Sequence, residues 1–395
     1  MKVLFRARRF TMEGSERAVR NYVHQLGFGV SDAVRAARLG FNARNIWAYW
    51  KGLLKAWLVW VLFVYAGFYA AGDSMGERIS SSVLCPLPDA LFMGSVPSVV
   101  LLAAGTLLAI LIMMATGLRV SRLVFEQLRG DQFFAEAQAR QFCRANWKPL
   151  LLTPLTIAAG IALGLCFHAL AGLIARIPAA GPVITALLTV PLWISGLLLI
   201  LAALVLFLCF FLVPVITAAT GGDTFENLFE VFSTVTSRPL RLVRGVIAGM
   251  VLRVPALLLL AVFSWGSVRL LGAAVDASSG ISGTAASIEG GFSRAAPELV
   301  PFYSSIFSPV ASTHGGGSGW TGLSGVILAA AGTSILLFLV AYWFSGCTSM
   351  WTIIYLGARH ARDGEDLLLR AEEEEYREFR KIYGSTDHGG DRKAE

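Results

Sequence analysis

The sequence predicts an all-α, polytopic integral membrane protein with six transmembrane helices, and three observations lead to this prediction. Hydrophobic residues make up 55% of the 395 residues and charged residues 15%, with a mean hydropathy of +0.64. A soluble domain carries about 25% charged residues, so this composition does not suit a soluble protein. The apolar residues collect in blocks long enough to cross about 30 Å of hydrocarbon as helices. Lys and Arg concentrate in alternate connections between these blocks, as membrane orientation requires.

Residues 1–52 form a basic N-terminal region, with ten Lys and Arg against three Asp and Glu. Ser31 is predicted to cap an amphipathic helix that runs toward an aromatic cluster. That cluster contains Trp47, Tyr49 and Trp50 and marks the boundary between water and lipid, because Trp and Tyr favour the headgroup level. We therefore expect cytoplasmic, interfacial helices in this region.

Six apolar blocks follow in a transmembrane domain that covers residues 53–358. The predicted spans are about 53–71, 96–118, 150–174, 191–213, 246–271 and 325–356. Pro191 is predicted to start the fourth span, which leaves residues 179–190 as a short outer or interfacial piece. Residues 273–322 are rich in Gly, Ser and Ala and are predicted to form a long outer loop.

The connection between the fourth and fifth spans carries the clearest local signal. Asp223 and Glu226 form a capping box at the start of a helix. Apolar residues then recur on one face at helical spacing, while Glu230 and Thr234 take the opposite face. The apolar positions assigned to this interfacial helix are Phe225, Leu228, Phe229, Phe232 and Val235, and Arg238 and Pro239 end it. Such a helix is expected to lie in the membrane plane.

Residues 359–395 change abruptly from apolar to charged sequence. They are predicted to form a cytoplasmic charged helix followed by a disordered tail. Tyr376, Phe379 and Tyr383 lie on one side of that helix. This aromatic stripe is a candidate docking surface for a protein partner at the cytoplasmic face, and the alternative is a solvated helix.

The distribution of positive charge predicts the orientation. The segments assigned to the inside hold 27 of the 33 Lys and Arg, and the outside connections hold four. Both termini are therefore expected in the cytoplasm. The net charge of +7 follows from this orientation, so no nucleic-acid partner is expected.

The helix from Asp223 to Ser237, followed by Arg238-Pro239-Leu240, resembles an element of uncharacterised bacterial multi-span inner-membrane proteins. In those proteins a surface helix rich in Phe and Ser precedes Arg-Pro and a span. The resemblance implies a bacterial inner-membrane protein. Membrane lipid is an expected partner because of the apolar spans. It implies no particular activity.

Arg253 is the most unusual residue within a predicted span. A charge at that depth is costly unless it faces a cavity, a partner or the interface. It is a candidate contact to a substrate or to an anionic headgroup, and the alternative is a side chain that extends to the cytoplasmic surface. Gly160 and Gly164 in the third span form a small-residue motif for close helix packing. His168 in the same span is expected to bond a backbone group, with a proton relay as the alternative.

No catalytic motif accompanies these features. His314-Gly315-Gly316-Gly317 resembles an esterase oxyanion loop, but no Gly-x-Ser-x-Gly nucleophile elbow occurs in the chain. We expect no cofactor, no metal site and no enzyme activity. The sequence favours a non-enzymatic subunit or scaffold of a larger membrane assembly. The alternative is a permease or transport component for a lipidic, apolar or anionic solute, energised by a separate subunit.

Overall fold

The computed structural model describes residues 30–74, 86, 88–131, 133–178, 180–237, 239–279, 319–364 and 367–368. Helices account for the regular structure of these residues, and no strand occurs among them. In chain order the helices are α1 (Val30–Gly40), α2 (Ala43–Ala70), α3 (Ala90–Gly94), α4 (Val96–Leu128), α5 (Glu136–Ala145), α6 (Trp147–Ile174), α7 (Ala180–Thr220), α8 (Thr224–Ser237), α9 (Pro239–Ser279) and α10 (Gly319–Asp363).

Six of these helices contain segments that are long and apolar enough to cross a membrane. The segments lie in α2, α4, α6, α7, α9 and α10. Helices satisfy their own backbone hydrogen bonds, which hydrocarbon demands, and their exposed apolar side chains contact lipid. The predicted all-α, six-helix architecture is therefore confirmed, and the chain is a multi-pass membrane protein.

Several helices extend beyond the apolar blocks that predicted them. The first spanning helix, α2, begins at Ala43 and includes the aromatic cluster around Trp50. A short break separates it from α1, and the side chain of Asn42 caps the new helix by accepting a hydrogen bond of 3.0 Å from the backbone N–H of Arg44. Ser31 lies inside α1, which begins at Val30, so Ser31 is not its cap. The predicted continuous helix from Ser31 into the aromatic cluster is two helices, and the second begins at Ala43.

The structure differs from the prediction at the fourth span. Residues 180–190 belong to α7, a single helix of 41 residues that contains Pro191 and Pro214. A proline removes one backbone hydrogen bond from a helix. In an apolar surrounding the remaining backbone groups have no alternative to the helix, so the chain continues as a helix through the proline.

Helix α8 begins and ends as its sequence predicts. The Asp223 carboxylate accepts a hydrogen bond of 2.8 Å from the backbone N–H of Glu226. Gly221 precedes this cap with a φ of 65°, a conformation that glycine adopts without a steric penalty. Pro239 is the first residue of α9, where its missing N–H is harmless. The chain thus leaves one spanning helix, forms α8 and enters the next within a few residues at each end.

The contacts of the chain divide it into two compact units. The first comprises Met1–Leu39, Gly117–Met250 and Cys347–Glu395. In it α6 packs against α7, and α8 packs against both. The buried core includes the ends of α4, α7 and α10, with the fully buried residues Leu123, Leu212, Ile216 and Tyr355.

The second unit comprises Gly40–Thr116 and Val251–Gly346. One cluster joins α2 to α3 through Val64, Phe68 and Phe92. The backbones at Gly40 and Gly346 come so close that a Cβ on Gly40 would lie 2.6 Å from the Cα of Gly346. Beside them the Ser345 hydroxyl donates a hydrogen bond of 2.7 Å to the Gly40 carbonyl. Close packing of the two backbones therefore requires glycine at position 40.

Candidate functional site

Helix α8 presents its aromatic side chains outward and its polar side chains inward. Phe225 is 77% exposed and Phe229 is 64% exposed, and Leu228 and Phe232 are partly exposed. On the opposite face Asn227 and Glu230 are buried, as is Thr234. Val231 and Val235 are buried on this inner face as well, so the prediction that Val235 belongs to the outward apolar face is wrong. The aromatic side chains are exposed, whereas a surface helix in water would bury them.

Glu230 is the centre of an ion-paired cluster within the first unit, which we call the α8–α10 joint. It contains Glu230 and Ser233 of α8 and Tyr355, Arg359 and Arg362 of α10. The Glu230 carboxylate lies 2.8 Å from Arg359 Nη1 and 3.0 Å from Arg362 Nη2. Arg362 Nη1 also donates a hydrogen bond of 2.6 Å to the Ser233 hydroxyl. The fully buried Tyr355 hydroxyl lies 3.4 Å from Glu230 Oε2.

The surroundings of the joint exclude most water. The side chains of Glu230, Arg359 and Arg362 are 6%, 11% and 20% exposed, respectively. At such burial an unpaired charge is strongly unfavourable, so each partner depends on the others. The joint therefore fixes α8 to the end of α10.

Two further polar contacts fix the start of α8. The Asn227 amide donates a hydrogen bond of 2.9 Å to the Thr217 hydroxyl of α7, and both residues are fully buried. The Thr153 hydroxyl of α6 donates a longer hydrogen bond of 3.5 Å to the Thr224 carbonyl. Together with the joint, these contacts hold α8 by its polar face against α6, α7 and α10.

A second ion-paired group lies at the end of α4 in the same unit. The Glu126 carboxylate is buried between Arg122, at 2.6 Å, and Arg129, at 2.9 Å. Arg122 also donates a hydrogen bond of 2.8 Å to the Ala218 carbonyl of α7. Its guanidinium lies 4.6 Å from the ring centroid of Phe142 in α5. These contacts connect the ends of α4, α5 and α7.

Arg253 does not extend to a surface. Its side chain is 3% exposed, and its guanidinium carbon lies 5.5 Å from the ring centroid of Trp343 in α10. The absent side chain of Gly346 leaves the space that Arg253 occupies, since a Cβ there would lie 2.9 Å from Arg253 Nε. The interpretation of Arg253 as a side chain that reaches the cytoplasmic surface is therefore wrong. Its role as a contact to substrate or headgroup stays a prediction.

The two glycines of the α6 motif have different surroundings. A Cβ on Gly164 would lie 2.5 Å from Leu199 of α7, whereas a Cβ on Gly160 would meet nothing within 4 Å. Gly164 thus allows close packing between α6 and α7, as the motif predicts, and Gly160 faces open space. Near them His168 Nδ1 lies 2.9 Å from the Gly164 carbonyl, which agrees with the expected backbone partner.

Most of the remaining predicted positions lie outside the described residues. Pro239 is exposed at the start of α9. Arg238, the docking residues Tyr376, Phe379 and Tyr383, and most of the predicted outer loop lie outside the described residues. Among the described residues, no three His, Cys, Asp or Glu side chains come together as a metal site.

Sequence reasoning missed the joint itself. It assigned Glu230 to the polar face of the helix but named no partner for it. A usable signal was present, because Arg359 and Arg362 lie three residues apart at the end of the last apolar block and so share a helix face.

Comparisons with protein families, with curated proteins and with solved structures give no match for this chain.

Proposed function

We propose that the chain is a non-enzymatic subunit or scaffold of a larger membrane assembly in a bacterial inner membrane, with both termini in the cytoplasm. The observation that carries the proposal is the α8–α10 joint. It is built from side chains whose charges satisfy one another, and it fastens a surface helix to the end of the last spanning helix. The joint also fixes the end of α10, from which the chain continues toward the proposed docking stripe, so less order has to be gained when a protein partner binds there.

The surroundings of Arg253 support the same proposal. Its guanidinium packs against Trp343 and fills the space over Gly346. A residue that binds a transported solute has to be reachable by that solute, and a side chain 3% exposed is poorly placed for this. In our proposal Arg253 joins α9 to α10 within the second unit.

The partner-docking surface that we propose is the C-terminal aromatic stripe. The test is affinity purification of the full-length protein in mild detergent, with chemical cross-linking and identification of the proteins that co-elute. Wild type is compared with a variant in which Tyr376, Phe379 and Tyr383 are all Ala. The matched control is Phe133→Ala, because Phe133 is an exposed aromatic residue in a connection between α4 and α5. We expect one or more stoichiometric partners that the triple variant loses and the control retains.

A permease remains the second candidate, because Arg253 carries a charge within a spanning segment. Arg253→Leu separates the two functions. As a scaffold, the variant reaches the membrane at the normal level and retains its partners. The variant protein could instead be present in the membrane at the normal level, with its partners still bound, while the cells lose a phenotype that depends on the protein. That result would favour transport. Absence of any stoichiometric partner of the wild-type protein would contradict the scaffold.

A further inference from the structure

We infer that the aromatic face of α8 binds the surface of a lipid leaflet that carries anionic headgroups. This face consists of Phe225, Phe229 and Phe232, with Leu228 at its edge. The inference concerns a different surface from the C-terminal stripe and does not depend on the identity of a protein partner.

The first step is that α8 cannot turn its aromatic face inward. Its polar face is occupied by the α8–α10 joint and by the hydrogen bond from Asn227 to Thr217. Rotation of the helix would break the buried ion pairs and leave their charges without partners. The phenylalanines therefore stay outside, where either water or an apolar partner must meet them.

The second step places this face at the level of the membrane surface. Thr220, the end of one spanning helix, and Pro239, the start of the next, are separated from α8 by three residues and by one residue, respectively. Leu240, in the first turn of α9, is as exposed as Phe225, so the spanning helix that follows α8 also exposes an apolar side chain at its start. The aromatic face thus lies within a few residues of a spanning helix at each end of α8. Aromatic side chains on an amphipathic helix in this position insert at the boundary between headgroups and acyl chains.

The third step concerns charge. Lys148, in the first turn of α6, and Arg244, in the second turn of α9, are exposed. Helix α6 packs against α8, and α9 follows α8 in the chain. Basic side chains near a membrane surface strengthen binding to an anionic leaflet. The combination of inserted aromatic rings and nearby cations fits anionic phospholipid. Glu226 is exposed and lies about 100° around the helix from Phe225, at the border of the apolar side.

The experiment uses nitroxide spin labels on the full-length protein in lipid nanodiscs. One label is attached at Phe229→Cys and a matched control label at Glu226→Cys, since both positions are exposed on α8. Cys85 and Cys166 are replaced by Ser so that these thiols do not react. Collisions with oxygen, which enters lipid, are compared with collisions with a water-soluble nickel chelate. The discs contain phosphatidylcholine alone or phosphatidylcholine with phosphatidylglycerol.

We expect a several-fold higher ratio of oxygen to nickel collisions at position 229 than at position 226. We also expect the 229 label to lie deeper when phosphatidylglycerol is present, and this difference to disappear when Lys148→Gln and Arg244→Gln are combined. A 229 label that collides freely with nickel would overturn the inference in favour of water. A label shielded from both reagents would overturn it in favour of a protein or a second copy of the chain. Equal depth in the two lipids would overturn the role of anionic headgroups.

Discussion

Replacement of Glu230 by Gln tests whether the α8–α10 joint stabilises the protein. The carboxylate pairs with Arg359 and Arg362 at 2.8 and 3.0 Å, and an amide would turn an NH2 group toward these donors. Loss of one member of a buried ion pair costs about 3–5 kcal/mol. Asp363 also pairs with Arg362, at 2.8 Å, and so retains part of the compensation. We therefore expect a loss at the low end, about 3 kcal/mol.

The measurement is the thermal stability of detergent-solubilised protein, followed as loss of the monodisperse peak in size-exclusion chromatography. At about 2 °C per kcal/mol, Glu230→Gln should lower the Tm by about 6 °C. The control is Glu226→Gln on the same helix, which removes an exposed carboxylate and should change stability by less than about 0.5 kcal/mol.

A second variant identifies the cause of the loss. Glu230→Met, Arg359→Met and Arg362→Met together replace the buried charges of the joint by apolar side chains. Asp363 loses its arginine partners in this variant, but its side chain is 32% exposed and its charge can be hydrated. This triple variant should recover most of the stability that Glu230→Gln loses. Equal stability of Glu230→Gln and Glu226→Gln would refute the reasoning, and so would a triple variant that is no more stable than Glu230→Gln alone.

Three other predictions follow from the described contacts. Gly40→Ala should destabilise the protein by about 1–3 kcal/mol, because the new methyl group meets backbone, whereas Gly160→Ala, in open space, should be neutral or slightly stabilising in the same thermal assay. Burial raises the pKa of the Cys143 thiol, and the positive charge of Arg119 offsets only part of this effect. At a given pH the buried thiol therefore contains less thiolate than an exposed one does. Maleimide should therefore modify Cys143 more slowly at pH 8 than an exposed Ala137→Cys thiol on the same helix, in a background without other accessible cysteines, and equal rates would contradict this. Reporter proteins fused within residues 120–147 should remain in the cytoplasm, where green fluorescent protein is fluorescent and alkaline phosphatase is inactive. Active phosphatase would contradict the proposed orientation.

The six spanning helices could be predicted because hydrocarbon imposes a length and a composition that are visible along the chain. The ends of the helices could not be predicted as well. Apolar sequence stops near the edge of the hydrocarbon, whereas the helix continues as long as its backbone bonds and caps allow. Thus α4 was predicted to end near residue 118 and ends at Leu128, and Pro191 was predicted as a boundary and lies inside α7.

The candidate site was predictable only where its signal is local. The cap at Asp223 and the separation of aromatic and polar faces on α8 depend on residues within four positions of one another. The joint depends on Glu230 meeting Arg362, 132 residues further along the chain. Arg253 also needed tertiary information, because the space that buries it exists only where Gly346 packs beside it. Helical periodicity relates only residues that are a few positions apart, so it could not predict either of these two contacts.

The length of α7 has a consequence for the membranes in which this protein can reside. Its 41 residues extend about 60 Å at 1.5 Å per residue, which is about twice the thickness of a hydrocarbon core. Val183, Leu187 and Val190 near its start are all exposed, so few protein contacts restrain that portion. A thicker bilayer can cover these side chains and a thinner one can release them to the interface, at a fraction of a kcal/mol per ångström of mismatch. We therefore expect the start of α7 to accommodate bilayers of different thickness, while the buried residues in its second half keep their contacts.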